Sequence, residues 1–309
     1  MWFILALMAV IGWGIEDIFV RAGTNSQDEL SQYRLAVISG FFFIAIGIGV
    51  TPWAISLREL LSLVTANPIL LMVPVLYVTT LILSYTGFRY LEAGIMAPLK
   101  NASGGFSTIM FLLWYAYIGK IDAVWEQISV IDIVGTILIV VGIVVLGYVE
   151  EYNKTNYQNT LGFLALLFPL IFCFADTLDT VICGIMLSDD VEVNIAPVDY
   201  FRLYSLCFGV EGIISWLYVS YKDNRPYNFL RNANYNYIMG GFLEAAALLA
   251  YTVAMEIEPV YVAVIITPYC VFTELGAYFW LKERYTKGQY LCFATIILGI
   301  IMIGCQELF

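Results

Sequence analysis

Apolar residues run along this chain in blocks of roughly twenty, broken by short polar connections. A bilayer core about 30 Å thick is crossed by about 20 helical residues, and lipid offers no partner to an open backbone amide. The blocks therefore predict membrane-spanning helices. The first is expected within residues 1–23, followed by Leu35–Ile55, Ile69–Arg89, Gly94–Ile118 and Ile128–Val149. After the polar segment Glu150–Asn159, the pattern predicts Leu161–Leu187, Pro197–Tyr221, Tyr237–Met255, Val260–Leu281 and Tyr290–Cys305. The N-terminal run has no basic start and no small-residue cleavage pattern, and Glu16 and Asp17 interrupt it, so it is expected to be a retained first helix rather than a secretory signal.

The two sets of five spans resemble each other. Leu83-Ser84-Tyr85-Thr86 with Glu92 in the third span matches Leu249-Ala250-Tyr251-Thr252 with Glu258 in the eighth. Tyr33-Arg34-Leu35 matches Phe201-Arg202-Leu203, and Gly142 and Gly147 match Gly299 and Gly304. Matches in consistent order support a duplication. An odd number of spans per half makes the second half enter the membrane from the opposite side. The expected fold is therefore an all-α membrane protein of ten transmembrane helices in a 5+5 inverted repeat, with residues 1–150 as the first half and 151–309 as the second. Inverted repeats are the architecture of alternating access.

Composition narrows the function. With 61% hydrophobic residues, 13% charged and a mean hydropathy of +0.84, no room remains for a water-facing domain. The net charge of −11 and the lack of a clustered basic face argue against a nucleic-acid partner. Cys173, Cys183, Cys207, Cys270, Cys292 and Cys305 all fall in apolar segments without a CxxC spacing and read as buried thiols. The chain has no histidine, which removes a Ser-His triad, a histidine-held metal and an imidazole acid or base. No enzyme, cofactor or metal site is expected.

The informative acids are those inside the spans: Glu16, Asp17, Asp176, Asp179, Glu211, Glu244 and Glu274, opposed mainly by Lys100 and Arg21. Each costs roughly 2.5–3.5 kcal/mol at a helix centre, so they are expected to line a polar cavity or pair across helices rather than face lipid. Trp13, Asp17 and Arg21 form one stripe, in which Asp17 and Arg21 are spaced to neutralise one another. Asp176, Asp179, Thr180 and Cys183 share a face, and two carboxylates three positions apart disfavour joint ionisation. Lys100, Ser103, Gly104 and Ser107 make a small polar stripe that permits close helix approach. Lys100 requires an anion, with the Asp176/Asp179 face or Glu244 as candidates. Glu244 with Tyr251, and Glu274 with Tyr278, repeat an acid and aromatic arrangement suited to a cationic or zwitterionic solute. The candidate solute or ion pathway is Trp13, Asp17, Lys100, Asn101, Asp176, Asp179, Glu244, Tyr251, Tyr269 and Glu274.

Gly12-Trp13-Gly14, the stretch Leu91–Gly105 (LEAGIMAPLKNASGG) and the stretch Thr267–Arg284 (TPYCVFTELGAYFWLKER) resemble the EamA-type branch of the drug/metabolite transporter superfamily. Ala97-Pro98 and Thr267-Pro268 carry the resemblance most specifically. Lys100, and an Ile118-Gly119-Lys120 end without the acid of Leu281-Lys282-Glu283-Arg284, depart from it. The resemblance implies transport or export of a small metabolite or drug-like solute, without naming the solute.

With histidine absent, carboxylates are the expected carriers of any coupled proton. The rival readings are a cation-selective channel or a non-transporting membrane subunit. The expected partners are a solute, protons and the bilayer of the plasma membrane, with the chain as a monomer or homodimer. Basic residues number ten in the odd-numbered connections and three in the even-numbered ones, which predicts external termini by the positive-inside rule. A sequon, Asn153-Lys154-Thr155, lies between the halves.

Overall fold

The computed structural model describes residues 1–24, 27–91, 93–120, 129–153, 164–165, 167–187, 195–229, 234–281 and 286–308. Glu92, Lys282-Glu283-Arg284, the sequon's Lys154 and Thr155, and the surroundings of Pro98, Gly147, Gly304 and Cys305 lie outside the described residues and side chains.

Helices dominate, and no strand occurs among the described residues. The first half comprises α1 (Trp2–Gly23), α2 (Ser31–Gly49), α3 (Leu57–Ala66), α4 (Ile69–Tyr90), α5 (Ala93–Tyr117) and α6 (Val130–Asn153). The second comprises α7 (Leu167–Leu187), α8 (Pro197–Lys222), α9 (Tyr235–Ile257), α10 (Pro259–Ile266), α11 (Tyr269–Gly276) and α12 (Lys287–Leu308). Among the described residues, seven segments are long and apolar enough to cross a bilayer: α1, α2, α4, α7, α8, α9 and the run Pro259–Trp280. This is the architecture of a multi-pass integral membrane protein.

Two features depart from the expected spans. The stretch expected as one helix from Val260 is broken at Thr267-Pro268 into α10 and α11, and a π-helical turn, Ala277–Leu281, follows. Proline supplies no amide hydrogen, so the ladder cannot continue through it. Thr267 Oγ1 instead donates back to Ala263 O at 2.8 Å, closing the end of α10. Such interruptions are accepted at membrane depth where protein, not lipid, surrounds the freed groups.

The other departure is α3, a short helix in the connection between the second and third expected spans. Its signal was a capping box. Ser56 Oγ accepts from Glu59 N at 3.3 Å, and Glu59 Oε2 accepts from Ser56 N at 2.9 Å and from Ser56 Oγ at 2.8 Å. Leu60 is buried while Leu57 and Leu61 are exposed, the pattern of a helix lying along an interface. Bonding to Ser56 holds the Glu59 carboxyl below its usual range, so its contribution is present above the ordinary carboxylate value and is lost as pH falls through the lowered one. Ser56→Ala is expected to raise amide exchange in the first turn of α3 about fivefold at neutral pH, read by hydrogen–deuterium exchange.

The helices pack in a defined set of pairs: α1 on α9, α2 on α8, α6 on α12, α4 and α5 on α7, α2 on α9, and α10 and α11 on both α1 and α5. The repeated glycines lie at one of these interfaces. A Cβ on Gly142 would stand 2.5 Å from Ile296 Cγ1, and one on Gly299 would stand 2.6 Å from Gly135 O, so α6 and α12 approach too closely for any side chain there.

Candidate functional site

Helices from both halves converge on an enclosed cavity near the middle of the bundle. From the first half it takes Trp13 and Glu16 of α1, Tyr77 and Leu81 of α4, and Lys100, Asn101, Ser103 and Gly104 of α5. The second half supplies Phe172, Asp176, Asp179 and Thr180 of α7, and Glu244, Leu248 and Tyr251 of α9. Ile266, Thr267 and Tyr269 border the break between α10 and α11. The cavity volume is about 30 Å³, room for about two water molecules.

Most of the sequence-predicted pathway is gathered here: Trp13, Lys100, Asn101, Asp176, Asp179, Glu244, Tyr251 and Tyr269 all line the cavity. Asp17 lies just behind it, bound to Lys100. Glu274 is fully buried on α11 and does not line the cavity. Glu16 and Tyr77 were not among the candidates. Glu16 is among the acids expected to avoid lipid, but the stripe singled out on α1 is that of Trp13, Asp17 and Arg21, and Glu16 points about 100° away from it. Tyr77 had only its spacing of eight residues before Tyr85, two turns along one face, to mark it.

The pairing of charges differs from both expectations. Lys100 Nζ binds Asp17 Oδ1 at 2.8 Å, rather than the Asp176/Asp179 face or Glu244. Arg21, expected to neutralise Asp17, instead donates Nη1 to Phe88 O at 2.9 Å. Helix geometry explains both. The last carbonyls of α4 have no partner within their own helix, and a guanidinium one turn further along α1 satisfies one of them. That frees Asp17 for an ammonium from α5. Lys100 is 3% exposed and Asp17 0%, so the pair is sealed from solvent. Rings of Phe172, Phe88 and Tyr269 surround the ammonium at 4.9, 5.1 and 5.8 Å. Thr273 Oγ1 approaches the second oxygen of Asp17 at 3.4 Å.

Three further carboxylates of the lining are held by hydroxyls rather than bases. Ser103 Oγ donates to Asp176 Oδ2 at 2.6 Å, Tyr77 OH donates to Glu244 Oε1 at 2.9 Å, and Tyr204 OH donates to Asp179 Oδ1. Glu16, Asp176, Asp179 and Glu244 thus face a space whose lining contains Lys100 as its base, and Asp17 already engages Lys100.

Several lining atoms have no hydrogen-bond partner: Trp13 Nε1, Glu16 Oε1, both amide atoms of Asn101, and the hydroxyl of Tyr251. Asn101 is 1% exposed and Tyr251 2%. Buried polar groups in folded proteins are nearly all satisfied, so these atoms offer bonding positions to whatever the cavity holds, water or a polar ligand. Both donors and acceptors are on offer. The rings of Trp13 and Tyr251 lie 5.3 Å apart and those of Trp13 and Tyr269 6.1 Å, giving the cavity an aromatic wall.

The chain matches no protein-family model and no curated protein sequence. What it does is therefore argued from this geometry.

Proposed function

We propose that this chain is a secondary transporter that exports a small metabolite or drug-like solute by alternating access. In this reading its ten transmembrane helices form a 5+5 inverted repeat of EamA type in the plasma membrane. The observation that carries the proposal is the cluster of unsatisfied donors and acceptors in a cavity shared by both halves. A solute bearing an ammonium and hydrogen-bonding groups would satisfy them.

Helix packing supports the repeat. Exchanging α1 with α7, α2 with α8, α4 with α9, α5 with α10 and α11, and α6 with α12 turns the principal contacts into one another. The pair α1–α9 becomes α7–α4, and α5–α7 becomes α1 with α10 and α11. The pairs α2–α8 and α6–α12 map onto themselves. Tyr85 and Tyr251, matched in sequence, are 1% and 2% exposed, and neither hydroxyl has a hydrogen-bond partner. Matched halves with opposite insertion can exchange two shapes around a central site.

The cavity, at about 30 Å³, holds no metabolite as it stands, so the shape described is a closed one. The break at Thr267-Pro268 borders the cavity and is the proposed hinge between α10 and α11. Protons are the proposed coupling ion, carried by Asp176 and Glu244. In proteoliposomes, counterflow of a solute first identified by thermal shift among amino acids, nucleotide sugars, polyamines and lipophilic cations is expected to respond to an imposed pH gradient. Asp176→Asn and Glu244→Gln are expected to reduce the gradient-driven component at least tenfold. Gradient-insensitive transport in the parent would remove proton coupling, and unitary currents without saturation or counterflow would replace the carrier with a cation pore.

A further inference from the structure

A second cavity, larger than the central one, opens on the side of the bundle between α4 and α8. Its volume is about 600 Å³. Val75, Val210 and Ile214 form its walls and are 47%, 58% and 61% exposed, so it faces the lipid region of the surface. Tyr33 and Tyr218, with ring centroids 4.7 Å apart, border it.

Within this apolar groove stands one carboxylate, Glu211. It lies on α8 eleven residues before Lys222, roughly 16 Å of helix rise from that end, at the depth of acyl chains rather than headgroups. Its Oε1 is sealed from solvent and has no hydrogen-bond partner. The other polar side chains that line the groove are the hydroxyls of Tyr33, Thr79, Ser215 and Tyr218 and the thiol of Cys207. None of these is a base. A carboxyl group with no base beside it in an apolar groove is complemented by an amine on an apolar body, which brings N–H donors and, as an ammonium, the countercharge that a carboxylate there lacks.

We infer that the lateral groove between α4 and α8 is a binding site for a lipophilic amine, whose ammonium pairs with Glu211 and whose alkyl body lies along Val75, Val210 and Ile214. The amine would come from the bilayer through the open side. A phospholipid fits poorly, because its charged headgroup stays at the interface while Glu211 lies a helix half-length deeper. The inference is independent of the transport reading, since its test measures binding alone.

The test uses the purified full-length protein in dodecyl maltoside, with tritiated dodecylamine as probe in a scintillation proximity assay and dodecanol as the uncharged competitor. Saturable binding of one amine per chain is expected, at least tenfold weaker in Glu211→Gln, with dodecanol competing at least tenfold less well than unlabelled dodecylamine. Unchanged affinity in a folded Glu211→Gln, or dodecanol competing as well as the amine, would overturn the proposal and leave a groove for acyl chains only. Should Glu211→Gln fail to fold, Val210→Trp keeps the question open to decision, because it fills the groove from an exposed position. Loss of binding in Val210→Trp supports the site, and retention of full affinity excludes it.

Discussion

Lys100→Met is expected to destabilise the protein by about 3–5 kcal/mol, because it leaves the carboxylate of Asp17 buried without its cation. Asp17 is fully buried, and a hydroxyl, Thr273 Oγ1, approaches its second oxygen at 3.4 Å. A hydroxyl at that distance does not replace an ammonium at 2.8 Å. Asp17→Asn is expected to cost a similar amount, since it strands the ammonium among the rings of Phe172, Phe88 and Tyr269. These rings attract a cation but do not neutralise it. The double variant Lys100→Met/Asp17→Asn is expected to recover much of the loss, because the unpaired charge is gone while the volume is kept. Unfolding titrations in mixed micelles give the coupling energy as the departure from additivity. A Lys100→Met protein that unfolds at the parent's midpoint would show that the ion pair contributes nothing. Separately, the double variant should be stable yet slow in transport if the pair opens during the cycle, and stable and unimpaired if it only braces α1 against α5.

This ion pair marks where sequence reading succeeded and where it stopped. Burial of both residues followed from composition, since an acid and a base in apolar runs must avoid lipid. The partner did not follow. Within one helix, spacing of four residues suggested Asp17 with Arg21, but pairing is decided by which helices touch. The contact of α1 with α5 joins residues 83 positions apart. The gathering of Trp13, Asn101, Asp176, Asp179, Glu244, Tyr251 and Tyr269 was legible because polar and aromatic residues in a membrane chain share few places to go. Glu274 shows the other outcome of that rule, as it is buried away from the cavity. Tyr77 was not legible, because a tyrosine in Val75-Leu76-Tyr77-Val78 looks like any other apolar aromatic until Glu244 is placed opposite its hydroxyl. The break at Thr267-Pro268 had a signal in the proline itself. Apolar periodicity ran through it unbroken, and length alone favoured one span. The capping box before α3 was equally readable, and so was the amphipathic spacing of Leu57, Leu60, Leu61 and Val64; ten residues are too few for a span, which is why a search for twenty-residue blocks passes over them.

Gly104→Ala is expected to cost about 1–3 kcal/mol and to slow transport about tenfold, whereas Gly105→Ala, one residue along, is expected to be silent. The contrast rests on what each new methyl would meet. A Cβ at Gly104 would stand 2.0 Å from Thr267 Oγ1 and 2.8 Å from Ala263 O, while one at Gly105 would have no atom within 4 Å. The Thr267 hydroxyl can rotate away only by giving up its bond to Ala263 O, and the carbonyl of Ala263 belongs to a helix backbone that cannot yield alone. The methyl therefore pushes α5 from α10 at the edge of the cavity, next to the break between α10 and α11. Thr267→Ala removes the hydroxyl and is expected to restore part of the stability of Gly104→Ala, since the Thr267 Cβ at 2.9 Å still crowds the new methyl. Thermal unfolding of the four proteins reads the packing, and solute counterflow reads the motion. Equal behaviour of the Gly104 and Gly105 variants in both assays would mean that close contact of α5 with α10 is unimportant both to stability and to the proposed transport.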